Sequence, residues 1–131
     1  MSRLKERIEN FNKAFDIYSD AVKEFDEKKV LTHMALVQAY EICFELAWKC
    51  LKNYLQQKGI DVNYPTEVIK EALNKNTLKN GQLWIDMLNA RNSISHEYNM
   101  EKVSKYLIEI STTYFEEIEK FKNWLGEISE Q

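Results

Sequence analysis

Along the N-terminal stretch, apolar residues recur at alternating intervals of four and three: Leu4, Ile8, Phe11, Phe15, Tyr18, Val22 and Phe25. This a/d spacing predicts one long amphipathic helix laid lengthwise against a partner. The charged stretch DEKKVLT closes it, with Thr32 placed to cap the next element. Residues 33 to 58 differ in kind. Ala35, Leu36, Val37, Ala39, Tyr40, Ile42, Cys43, Phe44, Leu46, Ala47, Trp48 and Leu51 would cover nearly the whole circumference of a helix. A rod apolar on almost all sides belongs in the middle of a bundle. Gly59 then supplies a C-terminal stop.

Pro65, whose fixed φ suits a first turn, starts a short third helix in NYPTEVIKEALNK. Asn80 is placed to cap a fourth, which carries Leu83, Trp84, Met87 and Leu88 on one face. The last runs from about Met100 to Leu125, with Asn99 as its cap. Its stripe is Val103, Leu107, Ile110, Tyr114, Ile118, Phe121 and Leu125. No segment alternates as a strand does. The expected fold is all-α, an up-and-down bundle of four to five helices formed by a single domain over residues 1–131.

Composition agrees. With 44% apolar and 30% charged residues, 131 residues can bury a real core, and three Gly and one Pro are too few turn formers for a sandwich or barrel. The net charge of −3 argues against a broad basic nucleic-acid surface while leaving room for a local phosphate site. Cys43 and Cys50 are seven residues apart on one expected helix, about 10 Å, which is too far for a disulfide. Both read as small buried hydrophobes of a reducing compartment. No apolar leader or spanning-length run is present, so a cytoplasmic protein without membrane contact is expected. The only histidines, His33 and His96, are far apart, and no glycine-rich phosphate loop occurs; neither metal nor cofactor is expected.

Two polar features stand out. On the central rod Gln38, Glu41, Glu45, Lys49 and Lys52 follow a three/four spacing. They form either a solvent edge, with Glu45–Lys49 an ordinary i,i+4 pair, or the lining of a groove. Trp84 could wall such a groove. The second feature is RNSISHEY, residues 91 to 98. It reads either as a polar helix end or as chemistry. His96 can exchange a proton near neutral pH, Arg91 offers a fork suited to phosphate, and Asn92 can orient an oxygen. A metal-free His–Arg pair suffices in principle for RNA cleavage through the 2′-OH. On a continuous helix Arg91 and His96 would stand about 140° apart. They converge only if the helix ends before His96 or a second subunit completes the site.

The spacing of Arg91, His96 and Tyr98 resembles the R-x4-H-x-Y motif of HEPN-domain proteins, with Asn92 as the polar residue after the arginine. The stretch AYEICFELAWKCLKNYLQQKG (39–59) is similar to the FELAWK helix of the nucleotidyltransferase substrate-binding protein family. PTEVIKEALNKNTLKNGQLWIDMLNARNSISHEY (65–98) continues that family's pattern. Tyr40 and Cys43 depart from it, as core drift that leaves the motif untouched. The resemblance covers residues 4 to 125 and implies a small helical bundle, usually a homodimer, that partners a separately encoded minimal nucleotidyltransferase.

Two functions follow from the resemblance. One is a non-catalytic substrate- or nucleotide-binding partner of that enzyme, in a two-gene, toxin–antitoxin-type system. The other is a metal-independent endoribonuclease toxin acting on RNA, with Arg91 and His96 as the catalytic pair and Asn92 as helper. In that case adenylylation of Tyr98 would silence it. Trp84, Glu41, Glu45 and Lys49 are the possible groove lining.

Overall fold

The computed structural model describes residues 3–95 and 100–129. Among them lie seven helical segments and no strand. They are α1 (Arg3–Glu24), α2 (Val30–Gln57), α3 (Pro65–Asn74), α4 (Gly81–Ser95), α5 (Met100–Ser104), α6 (Leu107–Ser111) and α7 (Thr113–Ser129). The fold is the all-α bundle that the apolar spacing predicts. α1 buries Leu4, Ile8, Phe11, Phe15 and Tyr18 from its a/d stripe and half-buries Val22, while Phe25 is half-buried just past its end. It lies mainly along α2, and α2 also meets α3, α4, α6 and α7.

α2 is therefore the central rod. Its fully buried Leu36, Tyr40, Phe44 and Leu51 are fixed by the helices around them. The enclosure is not complete: Ala35 and Ile42 face outward, with Ile42 47% exposed, and Leu46 is half-buried. α2 also begins three residues earlier than its apolar pattern suggests, at Val30. Thr32 consequently lies inside the first turn and does not cap it. Its hydroxyl instead accepts from the Asp26 amide (2.9 Å) and donates to the Lys29 carbonyl (2.7 Å), closing the α1–α2 turn. His33 Nε2 supports the same turn, 3.0 Å from the Asp26 carbonyl and 3.1 Å from that of Glu27.

The remaining boundaries follow local chemistry. Gly59 has φ +84°, the left-handed conformation that ends a helix at no steric cost in glycine. Pro65 opens α3, and Glu67 accepts from the Tyr64 amide at 3.1 Å. Asn80 precedes α4, its Oδ1 3.4 Å from the Leu83 amide and its carbonyl 3.2 Å from the Trp84 amide. The expected capping residue Asn99 lies outside the described residues. Among the described residues no helix is long and apolar enough to cross a membrane.

The last rod differs from the expected continuous helix. The stripe from Val103 to Leu125 is buried throughout, yet it is carried by α5, α6 and α7 with turns at Lys105–Tyr106 and Thr112. Side-chain hydroxyls engage the carbonyls around the second interruption. The buried Tyr18 hydroxyl, arriving from α1, donates to the Ile110 carbonyl, the group that a continuous helix would offer to the Tyr114 amide. Thr112 and Ser111 both turn their hydroxyls back onto the Ile108 carbonyl, at 2.6 and 3.0 Å. Such back-bonding competes with the ladder and bends helices. Apolar periodicity persists through these breaks because it reports which face is buried, not whether the backbone bonds are continuous.

The interior is rich in groups that stay protonated. Burial, helped by the neighbouring Cys43 and Tyr114, pushes the Tyr18 hydroxyl well above its ordinary range. Burial does the same to Tyr40, with Tyr18, Tyr114 and Cys43 adding to it and Arg91 opposing. The Cys43 thiol is raised by burial and by Cys50, and the Cys50 thiol is pushed up to about 12 by burial, against the pull of Arg7.

Two predictions follow from this interior. Tyr18→Phe leaves the Ile110 carbonyl buried without its donor and should cost about 1–3 kcal/mol in denaturant unfolding. Tyr40→Phe should cost less, because the Met87 carbonyl that Tyr40 engages at 2.7 Å lies within α4 and keeps its place in that helix's ladder. The second concerns pH. Thiols and phenols with raised folded-state pKa values bind their protons more tightly in the folded chain, so their contribution is intact below pH 9, where the unfolded thiols begin to ionise. It is lost as pH rises through the interval from 9 to about 12. Alkaline titration should show cooperative unfolding there. At neutral pH neither cysteine should react with a thiol reagent until denaturant is added.

Candidate functional site

The polar edge of α2 and the C-terminal half of α4 meet at Glu45. One of its carboxylate oxygens, Oε2, accepts from Arg91 Nη2 at 2.8 Å and from the Trp48 indole N–H at 2.9 Å. Lys49 Nζ lies 3.5 Å from the other, one helical turn away on α2. One turn toward the α2 N-terminus, Glu41 accepts from Ser95 Oγ at 3.1 Å. Ser95 Oγ also lies 3.0 Å from the Arg91 carbonyl, so the two acidic side chains of α2 clasp the last described turn of α4.

This contact is built by helical register. Glu41 and Glu45 are four apart on α2, Arg91 and Ser95 four apart on α4, and each pair therefore stands on one face. Glu45 and Arg91 retain 29% and 30% of their side-chain exposure, and ion pairs so exposed contribute under about 1 kcal/mol. The network thus orients the guanidinium more than it stabilises the fold. Arg91 Nη1 is 3.3 Å from Asn92 Oδ1, while its buried Nε has no hydrogen-bond partner among the described residues. Arg91 also lies close enough to Tyr40 to oppose the rise that burial imposes on that phenol.

Of the residues singled out in the sequence, Arg91, Glu45, Glu41 and Lys49 come together here, and Asn92 stands beside them, exposed. Trp84 does not join them. It is fully buried two turns earlier on α4, its indole N–H donating to Glu117 Oε2 at 2.9 Å. Gln38 is exposed and Lys52 half-buried on the same α2 edge. His96 and Tyr98 lie outside the described residues; α4 is described as helix through Ser95.

The cross-helix Arg91–Glu45 pair joins residues 46 apart, a separation at which spacing gives no signal. Its one trace in the sequence is the polar stripe on an otherwise apolar rod. Trp48 carries no such trace: its spacing marks it as core, and it is buried, yet its N–H reaches back one turn to Glu45.

Compared with known proteins, the chain matches the family described as nucleotidyltransferase substrate binding protein like over residues 6–127. None of the curated proteins compared with it matches. The matched span runs from most of α1 through the FELAWK stretch of α2 to most of α7. The chain belongs to the nucleotidyltransferase substrate-binding-protein-like family.

Proposed function

We propose that this protein is the non-catalytic, substrate-binding partner of a minimal nucleotidyltransferase within a two-gene, toxin–antitoxin-type system. The surface it uses would be the C-terminal end of α4 and the polar edge of α2. Family membership supports the partner role. The observation that carries the choice of surface, and of binding over catalysis, is the Arg91–Glu45 pair. A phosphate approaching Arg91 would have to displace a carboxylate 2.8 Å away and would meet Glu41 beside it. Like charges so placed disfavour a polyanion such as RNA. A protein partner can instead complement both signs, engaging Glu41 and Glu45 with cations and the exposed Asn92 with hydrogen bonds.

The working unit in this reading is a HEPN-like homodimer, and the exposed Val30, Leu31 and Met34 on the first turns of α2 give it apolar surface to bury. A bound partner that engages Glu45 would release Arg91 for its own contacts. The motif carried by Arg91, His96 and Tyr98 would then serve recognition, with Tyr98 a modification site.

The test is co-expression with a minimal nucleotidyltransferase encoded beside this protein. The two should co-elute. Arg91→Glu should weaken the complex at least roughly tenfold and Glu45→Gln by less, as expected when a charge at an interface is reversed or merely removed. Both variants should keep unfolding free energies within about 1 kcal/mol of the parent, given the exposure of the pair. Failure to co-elute would reject the partner role. A parallel assay addresses the ribonuclease alternative with end-labelled RNA in EDTA, after an intact mass has excluded an added AMP. The unmodified wild-type protein should leave the RNA intact; cleavage that His96→Ala abolishes would overturn the non-catalytic assignment.

A further inference from the structure

A cavity of about 380 Å³ opens where the segment preceding α4 faces α7, a place the docking surface does not use. It lies at the opposite end of α4 from Arg91, about 16 Å along the helix from Asn80. Its walls are aromatic. Phe121 meets Trp84 edge to face at 5.4 Å, and Trp124 lies 5.6 Å from Phe121. The half-buried Trp124 also meets Tyr54 edge to face at 4.9 Å, so its indole is held between two rings.

The polar groups are sorted by depth. Half-buried Glu117 receives the Trp84 indole N–H on Oε2, while its Oε1 has no protein partner among the described residues. At the exposed rim stand Lys79 and Lys120, and neither forms an ion pair among the described residues. Glu117 and Lys120 are one turn apart on α7 and could have paired, but the carboxylate is turned to Trp84. The cavity therefore presents a flat aromatic surface, an inner acceptor and two uncompensated outer cations. These features suit a ligand that is planar, carries N–H donors at one end and is anionic at the other. A simple anion fails the inner carboxylate, and a neutral heterocycle leaves the lysines unused. The volume falls in the range of pockets that enclose one small molecule.

We propose that this cavity binds a purine mononucleotide. The base stacks on Trp124 with its N–H edge toward Glu117, and the phosphate lies between Lys79 and Lys120. Stacking on a fixed indole and charge-assisted contacts to phosphate supply the two halves of the recognition. This inference is independent of the docking reading, because no residue is shared between the two surfaces.

The experiment is calorimetric titration of the intact chain with GMP, AMP, guanosine and inorganic phosphate, with tryptophan fluorescence followed in parallel. Saturable one-to-one binding of GMP or AMP is expected, with quenching. Guanosine should bind at least roughly tenfold more weakly, and inorganic phosphate should not compete. The double variant Lys79→Ala, Lys120→Ala changes only exposed side chains and should reduce mononucleotide affinity roughly tenfold or more without altering guanosine binding. Trp124→Leu and Glu117→Gln should each weaken the mononucleotide, and Arg91→Ala should leave it unchanged. The proposal is overturned if neither mononucleotide saturates. It also fails if phosphate alone binds as tightly, or if Arg91→Ala removes binding that the lysine double variant retains.

Discussion

A helix that is apolar on most of its sides cannot be kept from water by a single neighbour, and α2 sets that requirement for the whole molecule. Val37 and Trp48, Leu36 and Tyr40, and Cys43 and Cys50 lie on successive flanks of its axis, and all are buried. Burying one side chain of this size is worth roughly 1.5–3 kcal/mol. The chain gains that on several flanks only by wrapping α1, the α3–α4 pair and the α6–α7 rod around α2. The order of the helices, the crowding of aromatic rings in the centre and the narrowness of the polar edge are consequences of this one rod.

Enclosure of that kind forces polar atoms inside, and the structure settles them by long-range bonds to main-chain carbonyls. Tyr18 on α1 reaches the Ile110 carbonyl on α6, and Tyr40 on α2 reaches that of Met87 on α4. The rings themselves meet, Tyr18 with Tyr40 at 5.9 Å and Tyr40 with Tyr114 at 5.7 Å, so one aromatic column links α1, α2 and α7. The interrupted C-terminal rod belongs to the same economy: α6 yields a carbonyl of its ladder to α1, which ties the first helix to the last.

α4 joins two chemically distinct surfaces. Near its C-terminus the acidic edge of α2 holds Arg91 through Glu45, in a contact too exposed to stabilise the fold by much and well suited to setting the direction of a guanidinium. Near its N-terminus, Trp84 and Glu117 form the inner wall of an aromatic cavity rimmed by lysines. Trp84 and Arg91 are only seven residues apart and stand on nearly the same face of α4, so a reading of spacing alone groups them. They part because Phe44 and Phe121 cover the tryptophan, whereas Glu45 and solvent receive the arginine.

Apolar periodicity depends only on which face of each helix must leave water, and that much is written locally. It determined the class of fold, the central place of the helix read at residues 33–58, the stop at Gly59, the start at Pro65 and the buried stripe from Val103 to Leu125. The family, too, was legible, in the order of FELAWK and the Trp–Met–Leu–Arg–Asn run. Events between distant residues were not. The Tyr18 bond to the Ile110 carbonyl, beside the break at Thr112, joins residues 92 positions apart, and the setting of Arg91 requires a carboxylate 46 positions away. A hydrogen bond depends on tenths of an ångström and on the packing of several helices at once, whereas burial depends only on the side of a helix. The sequence therefore determined which residues go inside, and only the tertiary structure decided which polar atoms meet.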